Sequence, residues 1–101
     1  MAEITIERAG ESRYRVTVQE GRGQSVHEVT ATADHVRRYA PGAAPERLIE
    51  ASFEFLLERE PKESILSRFE LPVIERYFPD YPREIGKKCS LPANPPRTAG
   101  S

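Results

Sequence analysis

From Ile4 to Thr32 apolar side chains alternate with polar ones: Ile4 and Ile6, then Tyr14, Val16 and Val18, each separated by a charged or small polar residue. A period of two puts successive side chains on opposite faces, so this part of the chain predicts strands with one apolar face and one wet face. Ala9-Gly10-Glu11-Ser12 and Gly21-Arg22-Gly23-Gln24 contain glycine, are of loop length, and divide the segment into three runs. The expected arrangement is a three-stranded antiparallel meander. Its third run is irregular, because Val26 and Val29 differ in parity, and a bulge near His27 would bring both onto one face.

After Thr32 the apolar spacing becomes helical. Thr32 or Asp34 can cap a short helix carrying Val36 and Tyr39, which Ala40-Pro41-Gly42 ends. Pro45 stands where a first helical residue tolerates proline, and residues 46–60 form the clearest helix of the chain before Pro61 stops it. Shorter helices are predicted from Pro61 or Lys62 through Phe69, with Ile65, Leu66 and Phe69 apolar, and from Pro72 to Phe78, with Val73, Ile74 and Tyr77. Both are short enough to need packing in order to exist. Beyond Pro79 come proline, glycine, basic residues and few apolar anchors. The predicted organisation is a single α+β domain over residues 1–85, the meander followed by one long and two or three short helices, with a disordered tail over 86–101.

The long helix makes an unusual demand. Projected at about 100° per residue, its apolar and small positions (Leu48, Ile49, Ala51, Ser52, Phe53, Phe55, Leu56, Leu57) cover an arc of roughly 240°, against the ~100° stripe of an ordinary surface helix. The sheet can cover one side. The other needs either the helices of residues 62–78 folding back, or the same helix of a second copy, or both. Glu46, Glu50, Glu54 and Glu58 form an acidic row at successive i, i+4 positions, where like charges repel by about 0.2–0.5 kcal/mol per pair. The row reads as a solvated face or as a groove for a basic segment. The residues expected at an interface are therefore Phe53, Phe55, Leu57, Glu50 and Glu54, together with the aromatic pair Tyr77 and Phe78 near the end of the predicted helices.

Composition narrows the function classes without choosing one. The chain has 101 residues, 15 Lys and Arg against 16 Asp and Glu, and a net charge of −1, so no global field draws in nucleic acid or an anionic membrane. The balance is uneven. Residues 46–60 hold five glutamates and two arginines, while residues 79–101 hold four basic and two acidic residues, and these segments could meet within one chain or between two. No apolar run approaches the roughly 18 residues needed to span a bilayer, so no membrane association is expected. Met1-Ala2-Glu3-Ile4-Thr5 has neither the basic nor the apolar region of a signal peptide, which predicts a cytoplasmic protein. A single cysteine, Cys89, excludes an internal disulfide.

Motifs for known chemistry are missing from the sequence: it has no GxGxxG, Walker loop, HExxH, CxxC or EF-hand loop. His27 reads as a half-exposed strand residue and His35 as a surface residue at a helix start, with nothing tying either to a nucleophile. Cys89 follows Lys87 and Lys88, whose charge would lower its thiol pKa a little. An enzyme of known motif class is disfavoured, and neither cofactor nor metal is expected. Arg8, Arg13, Arg15 and Arg22 in the strands, and Arg83, Lys87, Lys88 and Arg97 near the C-terminus, are the footholds for nucleic acid. Glu3, Glu7, Glu20 and Glu28 interleave with the first group, so cross-strand charge pairing is the expected outcome there.

The stretch from Ser52 to Leu66, SFEFLLEREPKESIL, followed by Phe69, Leu71, Ile74 and Arg76-Tyr77-Phe78-Pro79, resembles a family of short uncharacterised bacterial proteins over roughly residues 26–85. The resemblance implies a small stand-alone protein and brings no activity, ligand or catalytic residue. A looser likeness, in size and order of elements, is to small antitoxins that join a short sheet to helices. The leading expectation is thus a protein-interaction or regulatory module that self-associates or binds another protein. The alternative is an antitoxin-like, nucleic-acid-linked regulator.

Overall fold

The computed structural model describes residues 2–90. Three strands form as their alternation predicts: β1 (Glu3–Arg8), β2 (Arg13–Glu20) and β3 (Gly23–Thr30), joined as antiparallel hairpins. Tyr14, Val16, Val18 and Val29 turn inward and are buried, while Arg13 and Arg15 face out. The β2–β3 register runs without interruption from Arg13 opposite Thr30 to Glu20 opposite Gly23, so the bulge expected near His27 does not form. Parity is kept in another way. His27 takes the inward position with Val29 and is 3% exposed, while Val26 faces solvent at 49%. The half-exposed His27 of the sequence reading is corrected accordingly: burial of the ring is possible because both its nitrogens find partners, Ser25 Oγ and the Leu66 carbonyl.

Thr32 caps α1 (Ala33–Tyr39) through a capping box: its hydroxyl accepts from the His35 amide at 3.1 Å, and its own amide donates to His35 Nδ1 at 3.1 Å. His35 is therefore a cap residue, as its place at a helix start suggests. Ala40-Pro41-Gly42-Ala43 then reverses the chain, closed by Ala43 N–H donating to the Ala40 carbonyl at 3.0 Å. Gly42 sits at φ 89°, the left-handed position that a turn with proline before it reserves for glycine.

The central helix α2 (Pro45–Leu57) opens on Pro45, and from Leu48 to Leu56 it buries all but Glu50 and Glu54. Its two apolar sides have different covers. Phe53 faces the sheet, with its ring 5.3 Å from His27 and 6.0 Å from Phe69. Ser52 and Phe55 face the other way, toward Tyr81, whose ring lies 5.3 Å from that of Phe55 in an edge-on contact. The second cover is a helix that the sequence reading did not foresee, α4 (Tyr81–Ser90), in which Tyr81 and Ile85 are fully buried. Cover comes from within the chain. The helix also occupies residues 86–90 of the expected tail, and residues 91–101 lie outside the described residues. Periodicity fails to announce α4 because its two anchors, an i, i+4 pair on one face, stand among Pro82, Gly86 and charged side chains.

The helix expected over residues 62–69 is also corrected. A 3-10 turn at Lys62–Ser64 leads instead to a strand, β4 (Arg68–Glu70), which pairs parallel with β3 and makes the sheet four-stranded, in the order β1-β2-β3-β4. An isolated helix of that length is marginal, whereas the open edge of β3 offers unpaired backbone groups. Glu28 N–H donates to the Ser67 carbonyl at 2.8 Å and Leu71 N–H to the Thr30 carbonyl at 3.2 Å. The parallel pairing needs a long crossover, which α1 and α2 provide. Pro72 then starts α3 (Pro72–Tyr77), close to its predicted span. The fold class is thus α+β as expected, with a mixed four-stranded sheet in place of a three-stranded meander. No helix among the described residues is long and apolar enough to cross a membrane.

Two of the buried tyrosines, Tyr39 and Tyr81, hydrogen-bond to side chains through their hydroxyls. Tyr39 OH donates to Glu75 Oε1 at 2.8 Å, and Tyr81 OH donates to Ser52 Oγ at 2.7 Å while Ser52 donates to the Leu48 carbonyl. Burial first, and the hydrogen bond to Glu75 next, push Tyr39 from its ordinary 10.0 up to about 12; burial likewise raises Tyr81. The unfolded chain releases these protons near pH 10 while the fold retains them. Stability from Tyr39 is therefore fully present below pH 10 and is lost as pH rises toward 12. Urea midpoints measured across that window should fall, and the decline should be shallower in Tyr39→Phe. A constant difference between the two proteins would contradict this.

Candidate functional site

Two surface grooves flank α2, and they divide the residues expected at an interface. The first, about 340 Å³, is apolar. Leu56 forms part of its floor where α2 ends, and the chain reversal at Pro61 brings Ile65 and Leu66 alongside. Phe69 enters from β4, because a strand alternates its faces and the charged Arg68 and Glu70 point outward. Val73, Ile74, Tyr77 and Phe78 follow at the spacing that places them on one side of α3 and its cap. Glu60 and Ser64 are the polar groups of the rim. The volume falls in the lower part of the ~300–1,000 Å³ range of ligand and peptide pockets.

The rim of this groove holds two of the three large apolar side chains that are exposed among the described residues. Tyr77 is 66% exposed and Leu66 45%. Phe78 is half-buried, its ring 5.8 Å from Phe55 in an edge-on contact. The sequence pattern singled out Tyr77 and Phe78 but placed Leu66 inside a helix. Its exposure follows from the 3-10 turn, which turns Ile65 inward and leaves its neighbour outward.

The second groove, about 330 Å³, lies between β1 and α2, lined by Ala2, Ile4, Glu20, Glu50, Glu54, Leu57 and Glu58. Here the acidic row meets Leu57. Its charge is largely answered within the chain. Arg47 lies 3.1 Å from Glu50 and 4.0 Å from Glu54, and Lys88 of α4 donates to Glu58 at 3.0 Å. Arg47 also donates to the Lys88 carbonyl at 3.0 Å. The acidic helix and the basic segment after residue 79 therefore meet inside one chain, and the pairing fixes α4 against α2.

Phe53 and Phe55 leave the interface altogether. Both are 0% exposed, enclosed by the sheet on one side and by α4 and Phe78 on the other, so the two-sided arc of α2 asks for no second copy.

Comparison with protein-family models, with curated proteins and with solved structures finds no match to this chain. On the outer sheet face Arg15 pairs with Glu7 at 3.5 Å, and Glu28 pairs with Arg13 at 3.5 Å and Arg68 at 3.2 Å. Arg8 folds back on the β1–β2 loop, donating to the carbonyls of Gly10 and Glu11. Of the strand arginines, Arg13 and Arg15 are thus each paired with a carboxylate. Cys89 is half-buried, and burial raises its thiol pKa despite the opposing charge of Arg47. That corrects the expectation of a slightly activated thiol: desolvation outweighs the neighbouring cation. Among the described residues no group of three or more His, Cys, Asp or Glu is placed to hold a metal ion.

Proposed function

We propose that the protein is a self-associating interaction module, working in the cytoplasm, that pairs through the apolar groove of Leu56, Ile65, Phe69 and Ile74. One observation supports the reading above the others: the groove carries at its own rim the two side chains suited to fill it, Leu66 and Tyr77. A two-fold interface needs a concave patch and its complement side by side on one surface, so that each copy inserts into the other. Burying both side chains in each of two copies gives roughly 1.5–3 kcal/mol apiece. The sum is comparable with the ~4–15 kcal/mol lost on association, so a weak, reversible dimer that forms only toward high protein concentration is expected.

Sedimentation equilibrium from low micromolar to near-millimolar protein tests it. The mass should rise from the 11.4 kDa of one chain toward twice that value. Tyr77→Ser should move the midpoint to at least tenfold higher concentration, while Val26→Ser, at the exposed valine outside the groove, should not. A single 11.4 kDa species at every concentration would refute the proposal.

A further inference from the structure

The inner face of β3 holds a polar constellation that neither groove includes. Gly23, Ser25, His27 and Val29 share this face by the strand's period of two. His27 Nδ1 lies 2.7 Å from the Leu66 main-chain oxygen, and Nε2 lies 2.8 Å from Ser25 Oγ. A carbonyl oxygen only accepts, so Nδ1 carries the hydrogen. In the neutral ring Nε2 is then a bare acceptor, and the Ser25 hydroxyl is its donor. The backbone enforces this arrangement. Leu66 precedes the residues paired with β3, with Glu28 N–H donating to Ser67 O at 2.8 Å and Arg68 in register with Glu28, so the orienting carbonyl is held against the strand that carries the imidazole.

A hydroxyl bonded to an imidazole whose far nitrogen is fixed by an acceptor is the arrangement that makes a serine nucleophilic. Here a main-chain carbonyl takes the orienting role. A cation is close by: the Lys62 side chain is 8% exposed, and its ammonium lies over Gly23, where a Cβ on residue 23 would stand 2.7 Å from Nζ. Glycine at 23, the preceding position on the same face as Ser25, is what leaves room for that ammonium, which donates to Glu63 at 2.8 Å. Ser25 itself is half-buried, near the hairpin end of the strand.

We propose that Ser25 is a nucleophile activated by His27 and that it accepts acyl groups from small activated esters. Oγ bonds to the ester carbonyl carbon while Nε2 takes the hydroxyl proton, and the tetrahedral oxyanion develops on the strand face over which the Lys62 ammonium, paired with Glu63, lies. Collapse breaks the bond to the leaving oxygen, which takes the proton from Nε2. Water, deprotonated by the same nitrogen, then attacks the acyl carbon, releasing the acid and returning the proton to Oγ. Small esters are specified because Ser25 lines neither of the two grooves that could receive a bulky acyl chain.

The test treats the whole protein with a fluorophosphonate probe and with p-nitrophenyl acetate, and locates adducts by peptide mass spectrometry. A single adduct at Ser25 and a burst of p-nitrophenol are expected. Both should disappear in Ser25→Ala and in wild-type protein unfolded in urea, since the activation depends on the fold. In His27→Gln labelling should slow by tenfold or more, given the ~10²–10⁴-fold that a positioned base contributes. No adduct at Ser25, an adduct at another serine, or labelling of Ser25 that proceeds as fast in urea as in buffer would each overturn the proposal. The urea comparison keeps the test decisive even if His27→Gln does not fold.

Discussion

Phe53→Ala is expected to destabilise the fold by about 3–5 kcal/mol, the range for removing a fully enclosed aromatic ring. Phe53 is 0% exposed and joins three elements, since its ring meets His27 of β3 at 5.3 Å and Phe69 of β4 at 6.0 Å from its place on α2. The hole left by truncation is bounded by a sheet and a helix that are each held by other contacts, so it cannot easily collapse. Against the ~5–15 kcal/mol of a domain this size, the loss is at least about a fifth of the total. Urea unfolding followed by far-UV circular dichroism measures it through the shift in midpoint at constant slope. A change below about 1 kcal/mol would show that Phe53 is not enclosed as described.

A larger effect is expected from the double substitution Tyr81→Ala with Ile85→Ala. Each side chain is 0% exposed, and together they form the face of α4 that closes the second side of α2. Single losses of about 3–5 and 2–5 kcal/mol are expected from the aromatic and the aliphatic position. The two lie one turn apart on one helix, so their sum is not strictly additive, but a combined loss of about 5–10 kcal/mol is of the same size as the ~5–15 kcal/mol stability of the domain. The variant should lose its cooperative unfolding transition, while Arg83→Ala, exposed on the same helix, should stay within about 0.5 kcal/mol of the parent. A double variant that still unfolds cooperatively near the parent midpoint would mean that α2 is covered from elsewhere, as by a second copy.

The alternation of Ile4 and Ile6, and of Tyr14, Val16 and Val18, was enough to place two strands, because side-chain period and backbone period coincide there. The third strand was legible but its faces were not. With Val26 and Val29 out of step, residue type alone favours burying the valine over the histidine, and the reverse is found because the Leu66 carbonyl and Ser25 hydroxyl satisfy the ring. The same long-range contact explains why the Ser25–His27 pair was invisible. Sequence puts the two residues on one face once the strand is regular, yet the orienting carbonyl lies 39 positions away.

The candidate groove was legible in part. Tyr77 and Phe78 stood out as aromatics beside prolines, and both line it. Phe53 and Phe55 stood out for the same apolar character and are enclosed, because hydrophobicity marks what must be covered and is silent on what covers it.

The sequence by itself determined the α+β class, the two hairpins, a helix capped at Thr32 or Asp34, the helices started by Pro45 and Pro72 and the two-sided demand of α2, all of which rest on interactions within a few residues along the chain. Tertiary structure alone decided the rest: that residues 68–70 complete the sheet instead of a helix, and that Tyr81 and Ile85 bring a fourth helix over α2. It also decided that the acidic row is met by Arg47 and Lys88 of the same chain. Each of these depends on free energy gained between segments distant in sequence, such as an open β3 edge or an uncovered helix face, which no local period records.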